Sequence, residues 1–439
     1  MGSFDSTVAE ALAHHKAGRL AEAEACYRAA MVLAPGHPAV THNLGVVAAA
    51  RGDHDGALAH FDAVIAAEPA YAAAHYNRAV ALRNLGHTKD AVAAFSRTAT
   101  LDPGHYEAHR ALGFLWLELG DRGRSLDHFA RTYELRRGED RTGMAERSLT
   151  HANVTKLRHD AEQFRHLAGR LRDGKRFEIL ARLYERAMEE STEISAPLTP
   201  EQLEDLGEDY NTAVHITSAP EIPGGAVNPA LDAAGIAERF AAGHRGALWF
   251  DDLLSPAALA GLRRYLLEST VWHDFEHIGG FVATYLEDGL ASPLLLQIAD
   301  ELRRAFPSIL GPHPLSQAWA FKGLEGQSSV EAHADDAAVS VNFWVTPDAA
   351  NLEPGGSGLR ICLMPPPEAW RIAGYEEDKR EIAAFLDRHR DETMVVPYGD
   401  NRAALFESRL FHRSDAPRFT ADYACHRINV TLLYGAPRK

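Results

Sequence analysis

Cysteine is scarce. The chain has three in 439 residues, Cys26, Cys362 and Cys425, and no C-x-x-C pair. That spacing argues against both a disulfide framework and a cysteine zinc cluster, and buried thiols in one predicted helix and two predicted strands are the reading. Long apolar runs are also missing. No stretch of 18 apolar residues occurs, so no membrane-spanning helix is expected. The opening MGSFDSTVAEAL has no basic segment leading into an apolar core, so a secretory signal is not expected there. Gly2 and Ser6 fit the short pattern M-G-x-x-x-[ST], which is too frequent by chance to carry weight. Basic charge is in deficit, 45 Lys and Arg against 61 Asp and Glu, net −16. That balance argues against a general phosphate-backbone binder. With 46% hydrophobic and 24% charged residues, the composition is that of a soluble protein of two or three domains, expected in the cytoplasm.

What is present first is a repeat. Gly18, Gly52, Gly86 and Gly120 stand 34 residues apart, and Pro35, Pro69 and Pro103 keep the same period. So do Tyr27, Phe61, Phe95 and Phe129, and likewise Ala23, Ala57 and Ala91, with Ser125 completing that series. The period and its small, aromatic and proline signposts resemble the tetratricopeptide repeat, a pair of antiparallel helices per unit. The glycine allows the turn between the helices, the proline ends the second helix, and stacked neighbours bury what one repeat cannot. Position 137 is Arg137 where proline is due, so the array, four repeats over residues 1–138, is expected to end there. Asn43 and Asn77 occupy equivalent places on first helices. In similar repeat proteins asparagines so placed hold an extended peptide, which makes a protein or peptide partner one reading. An architectural array, or self-association into a homo-oligomer, is the other.

Residues 139–235 read as a helical hairpin followed by a Pro/Gly-rich linker. Leu157, Ala161, Phe164 and Leu167 share one helical face. His159 and His166, on a charged helix, read as a solvated face rather than a metal site. The linker, with Val214 and Ile216 interspersed, is expected to lie on the next domain's surface.

From residue 236 to 439 short strand-like runs follow two predicted helices. The run HADDAAVSVNFWVTP places His333 and Asp335 two apart, on one face if 333–345 is a strand. His412 comes 79 residues later in RLFHRSD, and Arg427 15 residues after that, opening RINVTLLYG. Two histidines and a carboxylate on one side of an octahedral ion make the facial triad of non-haem Fe(II) sites. Asp336 is the rival to Asp335, but neighbouring strand residues point oppositely and only one can share the face of His333. On the same parity His426 points away. A fixed arginine ahead of an apolar strand suits the far carboxylate of a dicarboxylic acid.

In order and context, H-x-D, a distant H and a late R resemble the Fe(II)/2-oxoglutarate-dependent oxygenases, with the prolyl 4-hydroxylase branch the nearer comparison. The resemblance implies a multidomain α + β chain, an α-solenoid followed by a double-stranded β-helix (jelly roll) backed by helices. It implies His333, Asp335 and His412 as ligands to Fe(II), and Arg427 as the partner of the 2-oxoglutarate carboxylate. Asn429 and Thr431 would be further contacts, with Asn429 standing where the family usually has serine. Asn342, polar within SVNFW, demands a partner if buried, in the cosubstrate or in a bend of the fold. Lys322 and Tyr285 are candidates for the mouth of the site. Residues 365–392 are an insertion that would form a lid or substrate wall, with Trp370 and Tyr375 as substrate contacts or ordinary packing.

The activity implied is hydroxylation of a C–H bond using O₂ and 2-oxoglutarate, on a protein or peptide recruited by the repeats. Alternatives are a small molecule, sugar or lipid as substrate, a repeat scaffold carrying an inactive barrel, or a metal site that works without 2-oxoglutarate.

Overall fold

A computed structural model describes residues 3–139, 141, 143–144, 146–192, 194–243, 245–276, 280–324, 331–367, 370 and 379–436. Tyr375, most of the 365–378 stretch and Gly2 lie outside the described residues. The chain divides into two compact units between Leu119 and Gly120. No helix among the described residues is long and apolar enough to cross a membrane.

The first unit is a run of helices: α1 (Phe4–Lys16), α2 (Leu20–Leu33), α3 (Pro38–Ala50), α4 (His54–Ala67), α5 (Ala72–Asn84), α6 (Thr88–Leu101) and α7 (Tyr106–Glu118). At Gly18, Gly52 and Gly86 the backbone turns with φ of +71°, +81° and +79°, and a Cβ there would meet nothing within 4 Å. These glycines therefore serve backbone conformation, not space. The residue after each takes up the next helix. Asp53, for example, accepts the Gly56 N–H at 2.9 Å as the N-cap of α4. Gly45 is a different kind of glycine, since its Cβ would lie 2.6 Å from the Phe61 ring at a close helix crossing. Tyr27, Phe61 and Phe95 and the alanines at 23, 57 and 91 are all fully buried.

The second unit opens with α8 (Arg122–Arg137), the second helix of the fourth repeat. The compact units therefore divide one helix ahead of residue 138, where the repeats are expected to end, and Arg137 supplies the reason. Its guanidinium is buried and reaches both carboxylate oxygens of Asp288, at 2.7 and 2.5 Å, and the Asn211 carbonyl at 3.2 Å. From the preceding turn of α8 the Tyr133 hydroxyl donates to the Thr270 carbonyl at 3.0 Å.

Next come α9 (Glu146–Thr150), β1 (His151–Ala152), α10 (Val154–Ala168), α11 (Gly174–Glu189), β2 (Ala196–Pro197), α12 (Pro200–Leu206) and α13 (Ala233–Ala241). Helices α10 and α11 pair, with Leu157, Ala161, Phe164 and Leu167 in their shared core. The solvated-face reading fails for His159. It is fully buried, bonded to Asp160 at 2.9 Å, and packed edge-on to Trp272, with burial pushing its pKa down to about 4. Helix α10 buries polar side chains because they find backbone partners. Lys156 donates to the Trp272 carbonyl and Gln163 to that of Ser269, both at 2.9 Å. The irregular stretch before α13 is held by Gln297 and Glu301, which accept the backbone N–H groups of Ile222, Ala226 and Val227 at 2.7–2.8 Å.

The remainder is β3 (Ala247–Phe250), α14 (Pro256–Glu268), β4 (Phe281–Tyr285), α15 (Pro293–Ala305), β5 (Leu315–Gly323), β6 (Val339–Trp344), β7 (Leu359–Cys362), α16 (Lys379–Arg388), β8 (Thr393–Val396), β9 (Ala403–Glu407), β10 (His412–Ser414) and β11 (Ile428–Tyr434). Six strands form an antiparallel sheet in the order β3-β9-β6-β11-β5-β4, and three form a second, β10-β7-β8. Among the described residues these are separate sheets, not a closed barrel. Register fixes which face is which. Leu433, Thr431 and Asn429 lie opposite Ser340, Asn342 and Trp344 on one side and Gln317, Trp319 and Phe321 on the other, so all nine share a face. On that face Trp344, Ala404 and Phe406 pack against Leu359, Ile361 and Val396 of the smaller sheet in one apolar cluster. The opposite face is covered by helices, where the Tyr434 hydroxyl donates to the Ala299 carbonyl of α15 at 3.0 Å. Both faces of β6 and β11 are thus buried, as their near-continuous apolar sequences require.

Of the cysteines, Cys362 is buried, while Cys26 and Cys425 are half-buried. Cys425 sits in a 3₁₀ turn ahead of β11, not inside a strand.

Candidate metal centre and its cavity

His333, Asp335 and His412 come together with their ligand atoms all within 4.8 Å of one another. Nε2 of His333 lies 3.7 Å from Asp335 Oδ1, and Nε2 of His412 lies 3.6 Å from Asp335 Oδ2. The expected strand over 333–345 begins only at Val339. His333 instead makes an isolated antiparallel bridge with His412, each backbone N–H donating to the other's carbonyl at 3.0 and 2.9 Å. Asp335 is fixed by its own N–H, which donates to the Ser408 carbonyl at 2.9 Å. Burial, not strand parity, distinguishes the two carboxylates: Asp335 is buried beside the histidines and Asp336 is exposed on the cavity wall.

The outer hydrogen bonds decide the tautomers. Nδ1 of His333 is 2.9 Å from the Glu331 carbonyl, and Nδ1 of His412 is 3.0 Å from that of Leu410. A carbonyl only accepts, so each Nδ1 carries the proton and each Nε2 presents its lone pair to the centre of the group. Burial holds the His412 pKa down at about 4, against the pull of Asp335, so this imidazole is neutral at pH 7. Asp335 Oδ2 accepts from Ser340 Oγ at 2.7 Å, which leaves Oδ1 turned toward His333. An octahedral ion about 2.1 Å from each donor would set neighbouring donors roughly 3 Å apart, a contraction within reach of small side-chain rotations. The donor set fits a divalent transition metal.

Arg427 is buried, with Nη1 donating to the Ser357 carbonyl at 2.7 Å and more weakly to that of Asp415 at 3.3 Å, while Nε has no partner among the described residues. Burial lowers its pKa to about 10. Asn342 donates to Thr431 Oγ1 at 2.9 Å and its buried Oδ1 is unsatisfied. Asn429 lies between Arg427 and Thr431 on the same face of β11. The Arg427 Nε donor suits an acceptor oxygen, whereas Asn342 Oδ1 needs a donor, and Arg427, Asn342, Asn429 and Thr431 are not among the residues lining the cavity that holds the triad.

Lys322 is not at the site. It alternates with Phe321, so it faces the helices behind the large sheet, fully buried with Nζ 3.0 Å from the centre of the Tyr423 ring. Burial drives its pKa well below the usual lysine value, against the opposing pull of Glu162, Asp422 and Asp160. His426 points the same way, as expected, with Nδ1 3.7 Å from Glu162. Tyr285 does line the cavity, its hydroxyl donating to Asp274 at 2.9 Å. Trp370 packs against Phe385 and Phe411, which is ordinary core contact.

The triad opens into a cavity of about 1420 Å³. Its walls include Phe281, Trp319 and Phe321, which the sequence reading passed over, and Ile382 and Leu386 of α16. Ser340 was also missed, although its two-residue offset from Asn342 places it on the site face.

On the first helices of the repeats, Asn43 and Asn77 are half-buried. Asn77 Nδ2 lies 2.8 Å from His42 Nε2.

The tetratricopeptide repeat family matches residues 8–73, 42–104 and 76–140, so the N-terminal helices are tetratricopeptide repeats. Among solved structures, a crystal structure of MamA is 19% identical over 30% of this chain and 78% of its own, with a TM-score of 0.29. MamA 41-end from Desulfovibrio magneticus RS-1 is 25% identical over 31% and 78%, TM-score 0.30. A tetratricopeptide repeat protein from Parabacteroides merdae ATCC 43184 is 23% identical over 30% and 53%, TM-score 0.28. No curated protein matches this chain. The molecule is a tetratricopeptide-repeat solenoid followed by a β-rich region of several sheets.

Proposed function

We propose that the second unit is an Fe(II)- and 2-oxoglutarate-dependent dioxygenase that hydroxylates a C–H bond of a protein or peptide. One observation carries the reading: two histidines with Nε2 lone pairs directed at one carboxylate, each held by a backbone carbonyl behind it. His333, Asp335 and His412 would hold the iron and leave one side of it open. Bound there, iron supplies the redox chemistry by which O₂ converts 2-oxoglutarate to succinate and CO₂ and places the second oxygen atom on the substrate as hydroxyl. Arg427 would pair with the far carboxylate, and its unpartnered Nε is a donor in need of an acceptor. Asn342, Thr431 and Asn429 would orient the acid, and the apolar cluster between the sheets excludes water from beneath it. Two facing antiparallel sheets, with the triad at the bridge beside the smaller one, support reading the fold as a double-stranded β-helix.

The repeats would recruit the substrate, since stacked helical pairs present extended binding surfaces. The family match bears on this part alone, so a protein-interaction scaffold whose second unit does not turn over is the second reading. The two separate on one assay. Protein supplied with Fe(II), O₂ and carboxyl-labelled 2-oxoglutarate should release labelled CO₂, and Arg427→Ala should raise the 2-oxoglutarate concentration required while iron content stays unchanged. Absence of CO₂ release from iron-loaded protein favours the scaffold.

A further inference from the structure

The wall of the cavity opposite α16 has a chemical character that the metal does not require. Strand β5 alternates, and its site-facing side chains include Trp319 and Phe321, both half-buried and both lining the cavity. Their rings lie 6.1 Å apart with planes 27° off parallel, a stacked pair that makes an aromatic shelf. On the neighbouring strand Phe281 packs on Phe321 at 5.0 Å, and Tyr285 pairs with Trp319 across the ladder. Tyr285 is fixed by its bond to Asp274, so the shelf is braced along its edge. From the other side Ile382 and Leu386 supply aliphatic surface.

Large aromatic side chains left partly uncovered in a concavity forfeit burial that an occupant would restore. A broad aromatic face gains more from another ring, offset or edge-on, than from an aliphatic chain of equal area. The cavity also exceeds the roughly 300–1,000 Å³ of sites built for drug-sized ligands, which favours an extended occupant. Resting on the oxygenase reading of the triad, we infer that the substrate is a polypeptide segment presenting an aromatic side chain, whose ring lies on Trp319 and Phe321 and so brings its C–H bonds toward the metal.

The probes are three blocked tripeptides, Gly-Phe-Gly, Gly-Leu-Gly and Gly-Pro-Gly, titrated against the full chain and followed by ligand-observed NMR, with iron content measured on the same samples. The phenylalanine peptide should bind tighter than the leucine peptide by about 2- to 13-fold, the range expected of an aromatic pair beyond its area. Trp319→Ala should abolish that preference while iron content is unchanged, and Trp319→Phe should keep most of it. If Trp319→Ala fails to fold, Phe321→Leu is the substitute and should lose the preference equally. Equal binding of the three peptides, a preference for the proline or leucine peptide, or an unaltered preference in Trp319→Ala would overturn the inference. Wild-type protein that selects the phenylalanine peptide but takes up no iron would sink the oxygenase reading and leave ring selection standing.

Discussion

Replacing Arg137 by methionine tests why the chain divides where it does. Arg137 and Asp288 are 2% and 3% exposed, and the guanidinium engages both carboxylate oxygens at 2.7 and 2.5 Å. Such a pair gains little over a well-packed apolar pair, because both charges leave water, but losing one partner strands the other. In Arg137→Met the Asp288 carboxylate keeps, among the described residues, the weaker approach of Arg136 Nε at 3.8 Å, and the Asn211 carbonyl loses a donor. The expected loss is about 3–5 kcal/mol. Removing the stranded charge as well, in Arg137→Met/Asp288→Leu, should recover more than half of that, because the cost is that of an unpaired ion. Denaturant unfolding followed by tryptophan fluorescence, with the single Asp288→Leu completing the cycle, gives the coupling energy. Trp272 reports on the right place, since it packs against α10 in the same unit. A loss below about 1 kcal/mol for Arg137→Met, or strictly additive single and double variants, would refute the buried-pair account of α8.

Four further substitutions follow from particular environments. Gly45→Ala places a Cβ 2.6 Å from Phe61 and should cost about 1–3 kcal/mol by overpacking, whereas Gly52→Ala, with open space but φ of +81°, should cost about 1–2 kcal/mol by backbone strain; thermal melts of the two variants check both. Lys322→Met exchanges a buried amine with no hydrogen-bond partner among the described residues for an apolar side chain of similar length, so it should raise the melting temperature and leave iron uptake unchanged; a loss of iron would return Lys322 to the site. Asp400, whose pKa burial and then Asp348 raise to about 6, binds its proton more tightly folded than unfolded, so stability should increase as pH falls from 6 toward 4. Asp400→Asn should be more stable than the wild type at pH 7 by about 1 kcal/mol after allowance for partial exposure, and the gain should vanish below pH 4 in melts taken across that range.

The repeat could be read from sequence because its signposts are backbone requirements. Glycine at positive φ and an aromatic filling each helix crossing recur at one period whatever else changes. The clustering of His333, Asp335 and His412 was expected for a different reason, since two residues two apart in sequence need only one partner from elsewhere to make a group of three. Failures came where parity or burial had two self-consistent answers. In LSQAWAFKG the charged Lys322 drew the functional reading, yet it shares a strand with Trp319 and Phe321 and must face the other way. Aromatics on a strand read as core, so the shelf was invisible until register put them on the site face. His159 lies on a helix rich in charge, which resembles a solvated face. Its neighbours Lys156 and Gln163 are buried because distant backbone carbonyls at 267–272 accept their protons, and nothing local in the sequence announces that. The compact units divide one helix ahead of the repeat array's expected end, because the 34-residue period marks repeat membership while Arg137, out of period, marks where α8 is anchored.

Anaerobic titration of the full chain, first with Fe(II) and then with 2-oxoglutarate, tests the central claim most directly. One iron per chain should bind, and a weak visible charge-transfer band should grow as the acid is added. That band should be absent in Asp335→Ala and should need far more 2-oxoglutarate in Arg427→Ala. Iron that binds without any band would contradict the cosubstrate assignment, and a chain that takes up no iron would contradict the metal centre itself.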